Sequence, residues 1–114
     1  MSKRTPQLLL EDMLQSMEKI STYIGTMDKE SFVKDTRTVD AVVRNLEVIG
    51  EAASRIPEDF KAVHAEVPWR RVIGLRNRVI HEYFGVDLEI VWSVASLDLP
   101  PLKSGIKQIV ENLE

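Results

Sequence analysis

Between Leu75 and Gly85 the chain reads LRNRVIHEYFG, and the eight positions from Arg76 to Tyr83 hold two arginines, an asparagine, a histidine and a tyrosine. These residue types together suit work on a phosphate. A guanidinium is a permanent cation whose planar fork of donors matches phosphate oxygens. A histidine, with an ordinary pKa of about 6.5, can take or give a proton near neutrality. The same letters also describe the C-terminal end of a surface helix, where cationic side chains favour the macrodipole. Spacing alone leaves both readings open.

The segment from Pro68 to Phe84 is predicted as one helix, with Pro68 at its start and Gly85 as its stop. At about 100° per residue, Asn77 and His81 then share one face, and Arg76 and Tyr83 nearly share another. Arg76 and His81 stand about 140° apart around the axis. One regular helix does not aim both at a single small ligand. Either Arg76 curls around the helix, or the helix ends near His81, or a second chain supplies the missing half.

The elements that must hold this segment are helical. Thr5-Pro6 is a capped start, and Leu9, Leu10, Met13, Leu14, Met17, Ile20 and Ile24 repeat at helical spacing, predicting a helix over about 6–26. DKESFVKD suits one or two helical turns. From a cap at Asp35 or Thr36, the stripe Val39, Val42, Val43, Leu46, Ile49, Ala53, Ile56 has a period near 3.6 and stops at Pro57. PEDFKAVHAEV is a short helix or a loop with helical turns. A further helix begins after Asp87, and a last one follows Pro100-Pro101. No segment alternates as a strand does. The predicted fold class is all-α, an antiparallel up-and-down bundle of 114 residues in one domain, with short extra helices.

Composition narrows the function classes. The absence of cysteine excludes a disulfide framework and thiolate metal sites, and suits a reducing cytoplasm. The first residues, MSKRTPQLLLEDMLQ, lack a signal-peptide core, and no run approaches a membrane span. His64 and His81 lie far apart with no H-x-x-x-H, so metal chemistry is not expected. There is no glycine-rich phosphate loop. Net charge is −3, mildly against a general nucleic-acid binder. Yet the stretch from Trp69 to Phe84 holds Arg70, Arg71, Arg76 and Arg78 against Glu82 alone, so it carries +3 while the rest carries −6. Met13, Met17, Met27, Trp69 and Trp92 read as packing residues. The line Arg37, Asp40, Arg44, Glu47, Glu51, Arg55 reads as a solvated helix face.

Arg76 to Tyr83 matches R-N-x-x-x-H-x-Y. In this it resembles the HEPN-domain ribonucleases, in the HepT form found in HEPN–MNT toxin–antitoxin pairs of type VII. AVVRNLEVIGEAASRIP (Ala41–Pro57) is similar to that family's third helix, and VPWRRVIGLRNRVIHEYFGVD (Val67–Asp87) to its motif helix with a Pro-Trp lead-in. The likeness runs along nearly the whole chain without an insertion. It implies an HEPN-like bundle forming a homodimer, with a composite site where two motif helices meet. It further implies an endoribonuclease that needs no metal or other cofactor, toxic when unrestrained. The implied partner is a minimal nucleotidyltransferase, the MNT antitoxin, which transfers AMP to the motif tyrosine. Carried over by position, Arg76 and His81 are catalytic, Asn77 supports them, and Tyr83 is the AMP acceptor.

The chemistry expected of such a site is attack by the 2′-hydroxyl of RNA on its own phosphodiester, which makes RNA and not DNA the substrate. His81 would serve as base or acid, and Arg76 would meet the charge developing on phosphorus-bound oxygens. Arg70, Arg71 and Arg78 would follow the RNA backbone. The acidic remainder suits a folded target such as tRNA. A second reading, favoured by that acidity, is a non-catalytic helical module that binds a minimal nucleotidyltransferase.

Overall fold

The computed structural model describes residues 4–81 and 85–113, with Ile80, His81 and Gly85 given by their backbone. Helix α1 (Pro6–Ile24) starts where the sequence marks it: the Leu8 amide donates to Thr5 Oγ1 at 3.2 Å, and Pro6 fills the first position. It stops at Gly25, whose φ of 53° is a left-handed value that glycine adopts without steric cost. Helices α2 (Lys29–Lys34) and α3 (Thr36–Ser54) are capped by Asp28 and Asp35, which accept from the Ser31 and Thr38 amides. Short α4 (Glu58–Val63) and α5 (Trp69–Ile73) follow.

The apolar faces of α1 and α3 meet as an antiparallel pair, and α8 (Leu99–Leu113) closes over α1. Leu10, Met13, Leu46, Ile49 and Ile106 are fully enclosed between them. Each buries enough apolar surface to contribute about 1.5–3 kcal/mol. Phe32 of α2 is also fully buried, with its ring centroid 5.3 Å from that of Trp92. Among the described residues, the buried apolar side chains form one continuous cluster. At the surface, Lys103 of α8 donates to Glu18 of α1, and Lys29 pairs with Glu89.

The motif helix departs from the expected single element. It turns at Gly74, resumes as α6 (Leu75–Val79), and ends there instead of reaching Phe84. Ile80–His81 (β1) then pairs antiparallel with Gly85–Val86 (β2), Ile80 opposite Val86 and His81 opposite Gly85. The Asp87 amide donates to the Val79 carbonyl at 2.8 Å, closing the base of this hairpin. Asp87 also caps α7 (Leu88–Ser93), accepting from the Ile90 amide at 3.1 Å.

The C-terminal region is likewise joined where two pieces are expected. Pro100 and Pro101 lie inside the first turn of α8 and do not precede it. Proline lacks an amide donor, and its ring crowds the carbonyl four residues back. A π turn over Val94–Asp98 relieves that crowding, with the Leu99 amide reaching the Val94 carbonyl. The Ser96 hydroxyl donates to the Trp92 carbonyl at 2.6 Å.

Candidate functional site

Two close approaches position α5 and α6. Trp69 is buried, and its indole N–H donates to the His64 carbonyl at 3.0 Å, fixing the Pro-Trp lead-in. Gly50 lies in the middle of α3, where a Cβ would stand 3.2 Å from the Val72 and Ile73 carbonyl oxygens. The missing side chain lets α5 rest against the backbone of α3. Buried Leu75 and Val79 then seat α6 on α3.

With that face of α6 inward, Arg76 and Asn77 are exposed. Arg76 Nε stands 3.8 Å from Glu47 Oε2 on α3, and its side chain keeps 63% of its accessibility. That distance is beyond a hydrogen bond, and a pair so open to water holds weakly. The guanidinium is therefore restrained near α3 but free to exchange its carboxylate for a phosphate.

The other arginines of the basic stretch do not gather around it. Arg78, two residues on, points to the other side of α6, where its Nη1 lies 3.5 Å from Asp98 Oδ2 of the π turn. It borders a cavity of about 310 Å³ with an apolar floor, between α5, α6 and α8. Arg71 lines the same cavity, and Arg70 and Arg71 both line a second hollow beside α4. Arg76 instead faces an open groove of about 740 Å³ between α1 and α3. The basic stretch of the sequence is thus divided between two faces.

His81 falls beyond the helix, on the first arm of the hairpin. The 140° offset expected of a continuous helix therefore does not apply, because the helix ends at Val79, before His81. Tyr83, the expected AMP acceptor, lies outside the described residues. Among the described residues, no three of His, Cys, Asp and Glu converge as a metal site requires. No helix among them is long and apolar enough to cross a membrane.

The groove on the Arg76 side contains residues that the sequence reading assigned only to a solvated face or left unremarked. Three of its cations are matched to acids: Arg4 with Asp12 at 2.8 Å, Arg55 with Glu51 at 3.2 Å, and Arg76 with Glu47. Lys19 and Arg44 also line it, and neither makes an ion pair with a described residue. Their signal is present in the sequence, since Lys19 sits on the first helix opposite the Arg37–Arg55 line. Reading it requires knowing that α1 lies along α3.

The sequence of this helical chain can be set against those of known proteins. The family model described as Ribonuclease HepT-like matches residues 13–109, and the chain belongs to that family. It is 40% identical over 107 residues to the "Probable ribonuclease HepT" of Thermococcus cleftensis, covering 94% of this chain and 97% of that one. It is 39% identical over 108 residues to a protein of Caldanaerobacter subterraneus subsp. tengcongensis named "Putative RNase", covering 95% and 96%. A Methanocaldococcus jannaschii protein with the same style of name is 38% identical over 114 residues, covering 100% of this chain and 94% of that one. No solved structure matches the chain.

Proposed function

We propose that this chain, as one HEPN-type domain, is a metal-independent endoribonuclease and the toxin half of a toxin–antitoxin pair. The observation that carries the reading is Arg76: an exposed, loosely held guanidinium, five residues before His81, in a chain of the HepT-like family. In the reaction, His81 takes the 2′-hydroxyl proton. The 2′-oxygen bonds to phosphorus while the bond to the 5′-oxygen breaks, and a second acid, the His81 of a two-fold mate, protonates the leaving 5′-oxygen. Arg76 stabilises the charge on the non-bridging oxygens, and Asn77 supports the pair. The homodimer rests on the family resemblance, because the helical offset that also called for it ends with α6 at Val79. The same resemblance supports a partner nucleotidyltransferase that adds AMP to Tyr83. A nucleoside phosphodiester there would occupy the charge site meant for RNA and block it sterically.

The test is cleavage of a tRNA pool in excess EDTA by the wild type and His81→Ala. Wild type should leave 2′,3′-cyclic phosphate ends and His81→Ala should be inert. Activity lost to chelator and restored by magnesium would overturn the mechanism. Inertness of both proteins, with tight binding to the nucleotidyltransferase, would favour the interaction-module reading. Light scattering should give about twice the 13.0 kDa chain mass. Tyr83→Phe should keep its nuclease activity and escape silencing on co-expression with the partner. An AMP adduct mapped to another residue defeats that assignment.

A further inference from the structure

We propose that the α1–α3 groove is a binding track for single-stranded RNA leading to Arg76, with Lys19 and Arg44 holding backbone phosphate and Tyr23 stacking a base. This deepens the nuclease reading, on which it rests for the identity of the ligand. Three observations carry it. First, the groove's cations outnumber its acids: Arg4, Lys19, Arg44, Arg55 and Arg76 face Asp12, Glu47 and Glu51, and Lys19 and Arg44 make no ion pair with a described residue. On a chain of net charge −3, this groove is a local surplus of positive potential. Second, the surplus lies next to the reacting end. Arg44 is one turn before Glu47 on α3, and Glu47 is the residue that restrains Arg76. Third, Tyr23 follows Lys19 by four residues on α1, so both project along one side of that helix, and the tyrosine is 42% exposed within the groove. A polyanion with an unpaired base matches a phosphate grip beside an aromatic face, and stacking on such a face is indifferent to sequence. A duplex keeps its bases stacked inside and could use only the cations.

The experiment measures fluorescence anisotropy of a 5′-labelled, mixed-sequence 12-nucleotide single-stranded RNA with His81→Ala protein, which leaves the probe intact. In that background, Lys19→Gln/Arg44→Gln should weaken binding about tenfold at 0.1 M salt. It should also lower the slope of log affinity against log salt by about 1.4, the share of two phosphates on a single strand. Tyr23→Ala should weaken binding about fivefold or more, and Tyr23→Phe should restore it. The matched control Lys34→Gln/Lys107→Gln removes the same charge elsewhere and should stay within about twofold. Equal loss in the control, no measurable binding by the His81→Ala protein, or unchanged affinity in the groove variants overturns the proposal. So does a fall in mass by light scattering with RNA affinity intact, which would assign the groove to a second copy of the chain. Failure of this inference is separable from failure of the nuclease reading. Wild-type cleavage with groove variants that still bind tightly sinks only the track. A wild type that never cuts RNA, with groove variants that lose binding, sinks the nuclease and leaves the track.

Discussion

Arg76 and Arg78 stand two residues apart on α6, yet they work in different surroundings. Arg78 is a half-buried partner of Asp98, leaning over an apolar cavity and joining α6 to the π turn. Arg76 is mostly exposed, loosely restrained by Glu47, and opens onto a groove lined with charge. A cluster of like charges in sequence therefore says little about a cluster in space. Helical geometry sends alternate residues to opposite sides, and these two arginines meet different acids, Glu47 and Asp98.

The sharpest way to break this contrast is to truncate each arginine in turn. Arg76→Ala should lower RNA cleavage by about 10²–10³-fold, the usual cost of removing a donor to developing oxyanion charge. Arg78→Ala should leave cleavage within about threefold. Equal losses would mean that both arginines serve the phosphate and that the Asp98 pair is incidental.

A smaller effect is expected where α5 rests on α3. Gly50→Val forces side-chain carbons against the Val72 and Ile73 carbonyl oxygens, and should cost about 1–3 kcal/mol in urea unfolding. Because those residues carry α6, cleavage should fall as well. A variant as stable as wild type would show that α5 can move away freely.

Weaker again is the Arg78–Asp98 pair, since both side chains keep over a third of their accessibility. Asp98→Asn should cost less than about 1 kcal/mol and leave cleavage unchanged. A larger loss would make the pair a structural anchor of the π turn.

The smallest change concerns Glu18, whose pKa is lowered by the hydrogen bond and charge of Lys103. A carboxylate with a depressed folded pKa adds stability above its unfolded pKa. That contribution disappears as pH falls through the folded value. Wild type and Lys103→Met should therefore differ slightly in melting temperature at neutral pH and converge in acid below the ordinary carboxylate range. A difference that persists unchanged at low pH would place the effect in packing.

The elements set by local rules were legible in the sequence. Thr5-Pro6, Asp35 and Asp87 mark helix starts through side-chain chemistry that a reader can see, and the Val39–Ile56 stripe shows its period directly. What escaped depends on distant partners. Where the motif helix ends, the Val79 carbonyl accepts a hydrogen bond from the Asp87 backbone amide, eight residues away, instead of from within the helix. A trace of this was visible: Val79, Ile80, Tyr83 and Phe84 are strand-favouring types ahead of a glycine. The prolines at 100 and 101 read as a break for a similar reason, because their tolerance depends on the wider turn before them. The motif singles out Arg76 by its letters, but the division between Arg76 and Arg78 needed α3 and the π turn in place.

The wide turn at Val94–Asp98 can also be read as arithmetic on register. A π turn holds one residue more than the α turn it replaces. Deleting a single position there, such as the exposed Leu97, would return the segment to ordinary α-helix. The residues beyond would then keep their facing, whereas winding all five residues of the turn as ordinary α-helix, with none removed, would rotate everything beyond by about 100° relative to α7. In that second case Ile106 and Ile109, now buried against α1, would swing toward water, and Lys103 would leave Glu18. The wide turn thus works as a phase shift: it lets Val91 of α7 and Ile106 of α8, fifteen positions apart on one nearly continuous rod, reach the same core.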